Sequence, residues 1–229
     1  MAREQQRSGD LWVFGYGSLI WRPGFAFEEM QPARLVGFCR AFCVYSTFHR
    51  GSEERPGLVL GLDRGGTCDG MAYRVAAGRR NETIAYLRAR EQVYGVYREM
   101  HAPVEMLGDG AGATMAVTYV VERAHPSYAH RLSFGRQVAI IRGARGLSGP
   151  NLEYLVNTSE HLRALGIRDR ALERLAAAAG GLFAASHGEP EILRRRAISL
   201  AAAVRMPDAT APRLRLDERR RFQHRNKLS

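Results

Sequence analysis

Leu11-Trp12-Val13-Phe14-Gly15-Tyr16-Gly17-Ser18-Leu19 is the stretch on which the reading of this chain turns. The apolar run Leu11–Phe14 has the length and character of a buried strand, and Gly15 and Gly17 stop it at a tight turn. Without Cβ atoms, two glycines let successive backbone N–H groups point toward one anionic group. A turn that only joins two strands would carry the same residues. Nucleotide-binding signatures fail here: the third glycine of the dinucleotide fingerprint would fall at Ile20 with no helical pattern behind it, and Gly-Lys-Ser/Thr is absent.

Outward from this stretch, Leu35–Ser46, Gly57–Leu62, Met71–Val75 and Ala113–Glu122 have the aromatic and β-branched content of strands, separated by polar or glycine-rich segments. Asn81–Tyr97 is patterned as a helix with Asn81 placed to cap it. After the loop Gly143–Pro150, helices are predicted over roughly 151–165 and 169–180, divided by Gly166, and another around 189–205. Strands first and helices segregated after them imply an α+β or barrel-like domain with a helical C-terminal part, not an alternating parallel sheet.

On the first helix, Ile84, Leu87 and Tyr94 recur at i, i+3 and i+10, and Glu91 falls on the same stripe at i+7. Glu91 is therefore expected to face the core or a cleft. Burial raises a carboxyl pKa, and a carboxylate titrating nearer neutrality is a useful general base. A buried ion pair with Arg88 or Arg90 is the competing reading of the same residue.

Composition narrows the class. At 229 residues, 45% hydrophobic and 25% charged, the chain matches a soluble globular domain with ample length for a core. No run approaches the roughly 20 apolar residues of a membrane span, and the N-terminus lacks the apolar stretch of a secretory signal, so a cytoplasmic location is expected. Cys39, Cys43 and Cys68 have neither the number for a disulfide framework nor the partners for zinc, and read as small buried thiols. More than half of the net charge of +11 lies in residues 187–229. Such a cationic tail could bind nucleic acid or a protein partner through its charge. Phe222 is its one aromatic, however, and base stacking wants several, which favours a solvated tail over nucleic-acid binding.

A resemblance joins these features. Phe14–Pro23 (FGYGSLIWRP), Thr47–Ser52 (TFHRGS), Pro56-Gly57, Gly70–Tyr73 (GMAY), Tyr86–Glu91 (YLRARE) and Ser148–Leu155 (SGPNLEYL) resemble, in order and spacing, the ChaC-type γ-glutamylcyclotransferases. The six motifs cover roughly residues 11–180. The resemblance implies an α+β fold with a small mixed β-barrel core flanked by helices. It divides the chain into an N-terminal tail (1–10), the cyclotransferase-like domain (11–185) and a basic extension (186–229). It implies cleavage of glutathione to 5-oxoproline and cysteinylglycine, with no metal and no organic cofactor. Related families act on other γ-glutamyl amino acids or amines, and the shared motifs do not separate these substrates.

By the same resemblance, Glu91 takes the catalytic position and Val13, Phe14, Gly15, Tyr16, Gly17, Ser18 and Leu19 form the substrate-binding loop. A γ-glutamyl amide carries its own nucleophile, the α-amine, so the chain needs to hold the substrate folded and move a proton. Backbone N–H groups of Tyr16–Leu19 are the expected donors to the oxyanion and the α-carboxylate, with the Ser18 hydroxyl beside them. Arg50, in the polar loop after the second strand, and Tyr154, on a helix, are secondary candidates for substrate contact. Core packing is the competing reading for Tyr154. His49 has no evident Asp partner for a triad.

Overall fold

The computed structural model describes residues 9–108 and 112–180. The expected helix around 189–205 and the basic extension lie outside them, as do residues 1–8. Five strands close into a barrel: β1 (Leu11–Gly15), β2 (Glu29–Ser46), β3 (Gly57–Val75), β4 (Tyr97–Met106) and β5 (Ala113–Val121), in the order β1-β3-β2-β4-β5. Among the described residues four α-helices accompany it: α1 (Arg80–Glu91), α2 (Phe134–Gly143), α3 (Asn151–Ala164) and α4 (Arg170–Gly180). The mixed character comes from one contact. All neighbours pair antiparallel except β1 and β5, which run parallel through Trp12↔Ala116 and Val13↔Val117 and thereby close the sheet.

The long ribbon β2–β3 runs in register from Glu29↔Arg74 to Ser46↔Gly57 and is irregular between Val36 and Phe38 and between Phe42 and Val44. At the first irregularity Gly37 meets Gly65 and Gly66, all three at positive φ, a conformation that favours glycine. The extra residues bend the ribbon and increase its twist, so one pair of strands can wrap around a barrel. This corrects the expected break between Gly57–Leu62 and Met71–Val75. The polar, glycine-rich run Asp63–Gly70 is part of one continuous strand carrying a bulge, not a loop.

Helix α1 is shorter than expected. It ends at Glu91, Gln92 caps it, and Gly95 at φ 69° turns the chain into β4 at Tyr97. The cap at its start is Arg79 with no side-chain hydrogen bond, so Asn81 does not serve that role. Strand β4 was not read from the sequence, although Ala102, Val104 and Met106 alternate inward against His101, Pro103 and Glu105. Helix α2 was also not foreseen; Ser133 caps it by accepting from the Arg136 N–H. Helices α3 and α4 fall where predicted, separated by Gly166 at φ 74°.

The barrel interior and the helix-covered wall share one core, in which Tyr73, Tyr119, Phe14, Leu35, Leu58, Leu62, Leu87, Ile141 and Leu155 are fully buried. Cys43 and Cys68 are buried and Cys39 half-buried, all free thiols. Burial pushes the Cys43 thiol to about 12 and that of Cys68 to about 11, so neither is a ready nucleophile. Among the described residues no helix is long and apolar enough to cross a membrane.

Candidate active site

The site is built where β1 runs out of the barrel. After Gly15 the chain turns at Tyr16 and Gly17 into a single 3-10 turn, Ser18–Ile20, closed by Ile20 N–H to Gly17 O (2.9 Å) and Arg22 N–H to Ser18 O (2.9 Å). The N–H groups of Ser18 and Leu19 lie in the first turn, where no acceptor exists within the helix, so they remain available as donors. Four side chains fix this turn from outside. Thr118 Oγ1 donates to Phe14 O (3.0 Å), Tyr73 OH to Ile20 O (2.8 Å), Arg40 Nε to Tyr16 O (2.6 Å) and Arg90 Nη2 to Ser18 Oγ (3.0 Å). Gly70, on the neighbouring strand, is required by closeness: a Cβ there would run into the Gly15 carbonyl and the Phe14 ring.

Glu91 is the last residue of α1 and points into this region with its side chain only 16% exposed. Arg90 Nε lies 3.1 Å from Glu91 Oε1, so the ion-pair reading holds for Arg90, whereas Arg88 is taken by Glu99 at 2.7 and 2.8 Å. Burial nevertheless prevails over the Arg90 charge and hydrogen bond, and the Glu91 carboxyl is raised above its ordinary value. Arg90 also reaches the Arg22 and Pro23 carbonyls and the Tyr86 hydroxyl. One guanidinium thus couples the carboxylate to the glycine turn.

Buried tyrosines lie within the field of the carboxylate, Tyr16, Tyr97 and Tyr154 among them. Burial, with smaller contributions that include the Glu91 charge, raises the phenols of Tyr16 and Tyr97 well above the usual range and that of Tyr154 to about 12. All three stay protonated at neutral pH and can act as hydrogen-bond donors. Tyr97 donates to the Leu60 carbonyl at 2.6 Å. Tyr154 is held between Phe42, edge-on at 5.8 Å, and the Arg50 guanidinium, 5.5 Å above its ring.

The loop 47–56 supplies Arg50, whose Nη1 donates to the Pro150 carbonyl (3.1 Å) and whose N–H donates to Ser46 Oγ (3.0 Å). The same loop is laced to the segment before α3 by Leu147 N–H to Phe48 O and Ser148 N–H to His49 O, both 2.9 Å. Asn151, at the start of α3 and fully buried, accepts from the Leu58 N–H at 2.6 Å and donates to the Leu58 carbonyl at 2.7 Å, in the manner of a strand neighbour. The structure therefore brings Glu91, the turn Tyr16–Leu19, Tyr154 and Arg50 into one neighbourhood. Val13 and Phe14 have side chains wholly inside the core, which leaves only their backbone to face a ligand. Sequence reasoning passed over Tyr97, Arg40 and Asn151. Tyr97 was assigned to the helix, and the partners of the other two lie far along the chain. Among the described residues no group of His, Cys, Asp and Glu clusters as a metal site.

A closed barrel of this topology is also found in a yeast γ-glutamyl cyclotransferase specific to glutathione, whose structure superposes with a TM-score of 0.68 at 22% identity, covering 79% of this chain and all of that one. At that identity the likeness establishes the fold. The family model for ChaC-like proteins matches residues 11–180, and the chain belongs to that family. The mouse glutathione-specific gamma-glutamylcyclotransferase 1 is 35% identical over 181 residues, 77% of this chain and 81% of the mouse protein. The Escherichia coli glutathione-specific gamma-glutamylcyclotransferase is 33% identical over 167 residues, 73% of this chain and 71% of its own length.

Proposed function

We propose that this protein is a cytoplasmic γ-glutamylcyclotransferase that cleaves glutathione into 5-oxoproline and cysteinylglycine, with Glu91 as general base and acid. The observation that carries the mechanism is a carboxylate, buried and raised in pKa, tied through Arg90 to a glycine turn whose first N–H groups have no acceptor within the turn. In this reading the α-amine of the γ-glutamyl group gives a proton to Glu91 and attacks the γ-carbonyl. A five-membered ring closes, the γ-amide C–N bond breaks, and Glu91 returns the proton to the departing cysteinyl nitrogen. No water is consumed and no covalent intermediate with the protein forms.

Each part of the site has a matching task. Ser18 and Leu19 N–H are placed to receive the oxyanion or the α-carboxylate, and fixed donors of this kind are typically worth about 3–4 kcal/mol each. Holding the amine against its own carbonyl supplies the proximity term, worth about 7–11 kcal/mol in favourable intramolecular cases. Tyr16, Tyr97 and Tyr154 are protonated at neutral pH and available as donors near Glu91, whose own raised pKa comes from burial. Arg50, across Tyr154, is positioned to meet a carboxylate on the leaving side.

The test is release of 5-oxoproline from glutathione and from γ-glutamylalanine by the purified full chain. Turnover of glutathione with little from γ-glutamylalanine supports the reading, including its substrate. Faster turnover of γ-glutamylalanine would retain the chemistry and replace the substrate, and release from neither would remove the function.

A further inference from the structure

Arg40 is a buried cation that no step above uses. Its side chain is 3% exposed in the wall of the barrel, on β2, and its donors go in three directions. Nε donates to the Tyr16 carbonyl (2.6 Å), Nη2 to the Asp69 carbonyl (2.5 Å) and Nη1 to Asp169 Oδ2 (2.8 Å). Asp169 itself caps α4: its Oδ1 accepts from the Leu172 N–H (3.1 Å) and its carbonyl from the Glu173 N–H (2.9 Å). A planar fork is therefore strung between the glycine turn, the neighbouring strand β3 and the first turn of a helix.

We propose that Arg40 is the positioning residue of the glycine turn, aiming its N–H donors at the substrate, and that α4 holds Arg40 in place through Asp169. The carbonyl of Tyr16 and the N–H of Gly17 belong to one planar trans peptide and point in opposite directions. Fixing that carbonyl on Arg40 turns the Gly17 N–H to the opposite side, away from the barrel wall. A cation on the carbonyl oxygen also polarises the peptide, which strengthens its N–H as a donor. The Gly17 N–H thus joins those of Ser18 and Leu19 as the first of three successive donors. Lysine cannot replace this arrangement, because one ammonium does not reproduce the spread of a guanidinium fork over three separate acceptors. The inference rests on the γ-glutamyl reading for what the turn binds, though not for how the turn is held.

The experiment compares wild type, Arg40→Lys, Arg40→Ala and Asp169→Asn in the full chain. Steady-state kinetics on glutathione are followed across pH, and amide exchange is followed at Ile20 and Arg22, whose N–H groups close the 3-10 turn. Arg40→Lys is expected to lose about 10²-fold in kcat/KM, the scale of an ångström-sized misplacement. Its acid limb in kcat should stay where wild type has it, since Glu91 is untouched, and the Ile20 and Arg22 amides should exchange faster. Asp169→Asn, which keeps an Oδ1 acceptor for the helix cap, should move the same way by a smaller factor. A cavity of about 270 Å³ borders Arg40, Asp69 and Asp169, giving soluble guanidinium access to the Arg40→Ala gap. Millimolar guanidinium should then raise Arg40→Ala activity while leaving the residual rate of Glu91→Gln unchanged.

Wild-type kcat/KM within threefold in Arg40→Lys overturns the inference, and so does lost activity with unchanged exchange at Ile20 and Arg22. Should the Arg40 variants fail to fold, Asp169→Asn decides by the same two readouts. Should wild type release no 5-oxoproline from glutathione, the functional reading fails by itself, and amide exchange alone decides the role of Arg40.

Discussion

On the proposed mechanism, replacing Glu91 by glutamine separates the proton carrier from everything else in the site. The amide has the same length and branching, and its oxygen can still accept from Arg90, so the fold and the Arg90 clamp should survive. Proximity and the turn donors are also untouched. The loss is confined to proton transfer, which typically contributes about 10²–10⁴-fold, or roughly 3–5 kcal/mol of barrier. A second consequence has the opposite sign. The folded-state pKa of Glu91 is raised above the ordinary 4.5, so ionised Glu91 disfavours the folded state. The wild type thus gives up stability as pH rises from about 4.5 through the raised value, and stays lower above it. Glutamine removes that cost. The variant should release 5-oxoproline from glutathione at least 10²-fold more slowly at saturation, yet melt at a higher temperature than wild type at pH 7.5, with the gap closing near pH 4. Calorimetric melts at the two pH values and a coupled assay for 5-oxoproline read both. Full activity would remove Glu91 from the mechanism. Lower stability at pH 7.5 would show that the Arg90 pairing, and not burial, governs the carboxyl.

Three further outcomes follow from contacts described above. With Glu91 as the proposed base, the acid limb of kcat/KM in wild type should lie above the ordinary carboxyl value of 4.5, because protonated Glu91 cannot accept the amine's proton, and a pH–rate profile on glutathione reads it directly. Asn151→Ala leaves the Leu58 N–H and carbonyl unpaired in the core, at about 1–3 kcal/mol each. That should lower the melting temperature by several degrees in thermal denaturation, and Asn151→Asp, which places a buried carboxylate oxygen against the Leu58 carbonyl, should lower it at least as far at neutral pH. Gly51→Ala drives a Cβ against the Gly57 N and the Ser46 and Arg55 carbonyls, so the loop 47–56 must open. A destabilisation of about 1–3 kcal/mol with a raised KM for glutathione is expected, since Arg50 moves with the loop.

Local signals in the sequence carried the parts of the fold that depend on local structure. An apolar run before two glycines placed β1 and its turn, and helical spacing placed α3, α4 and most of α1. The Asp63–Gly70 segment misled because polar residues and glycines look alike in a loop and in a bulged strand facing outward. Strand β4 was hidden because its first residue, Tyr97, was assigned to the helix before it and its first half, Tyr97–His101, carries charge. Barrel closure depends on Trp12 pairing with Ala116, a contact no window of sequence contains; the order of strands and helices reached only an α+β or barrel-like domain, and the resemblance narrowed it to a small mixed barrel. The site shows the same division. The stripe through Leu87 put Glu91 on an inward face, although Tyr94, which helped define that stripe, lies beyond the helix and is exposed. Which arginine would pair with Glu91 was undecidable locally: it is settled by Glu99, on the unforeseen β4, which draws Arg88 away.

The strand that carries the glycine turn is also the strand that closes the barrel. With only five residues, β1 lies between β3 and β5 and leaves no edge on the sheet. Were it to lift away, two long, largely apolar strands would each present an open row of backbone donors and acceptors, the template on which chains pair with one another and aggregate. On the proposed function, the segment that receives a small peptide is therefore also the seal against self-association. A substitution within Leu11–Gly15 that loosens the pairing of β1 would disturb the glycine turn and expose those two edges together.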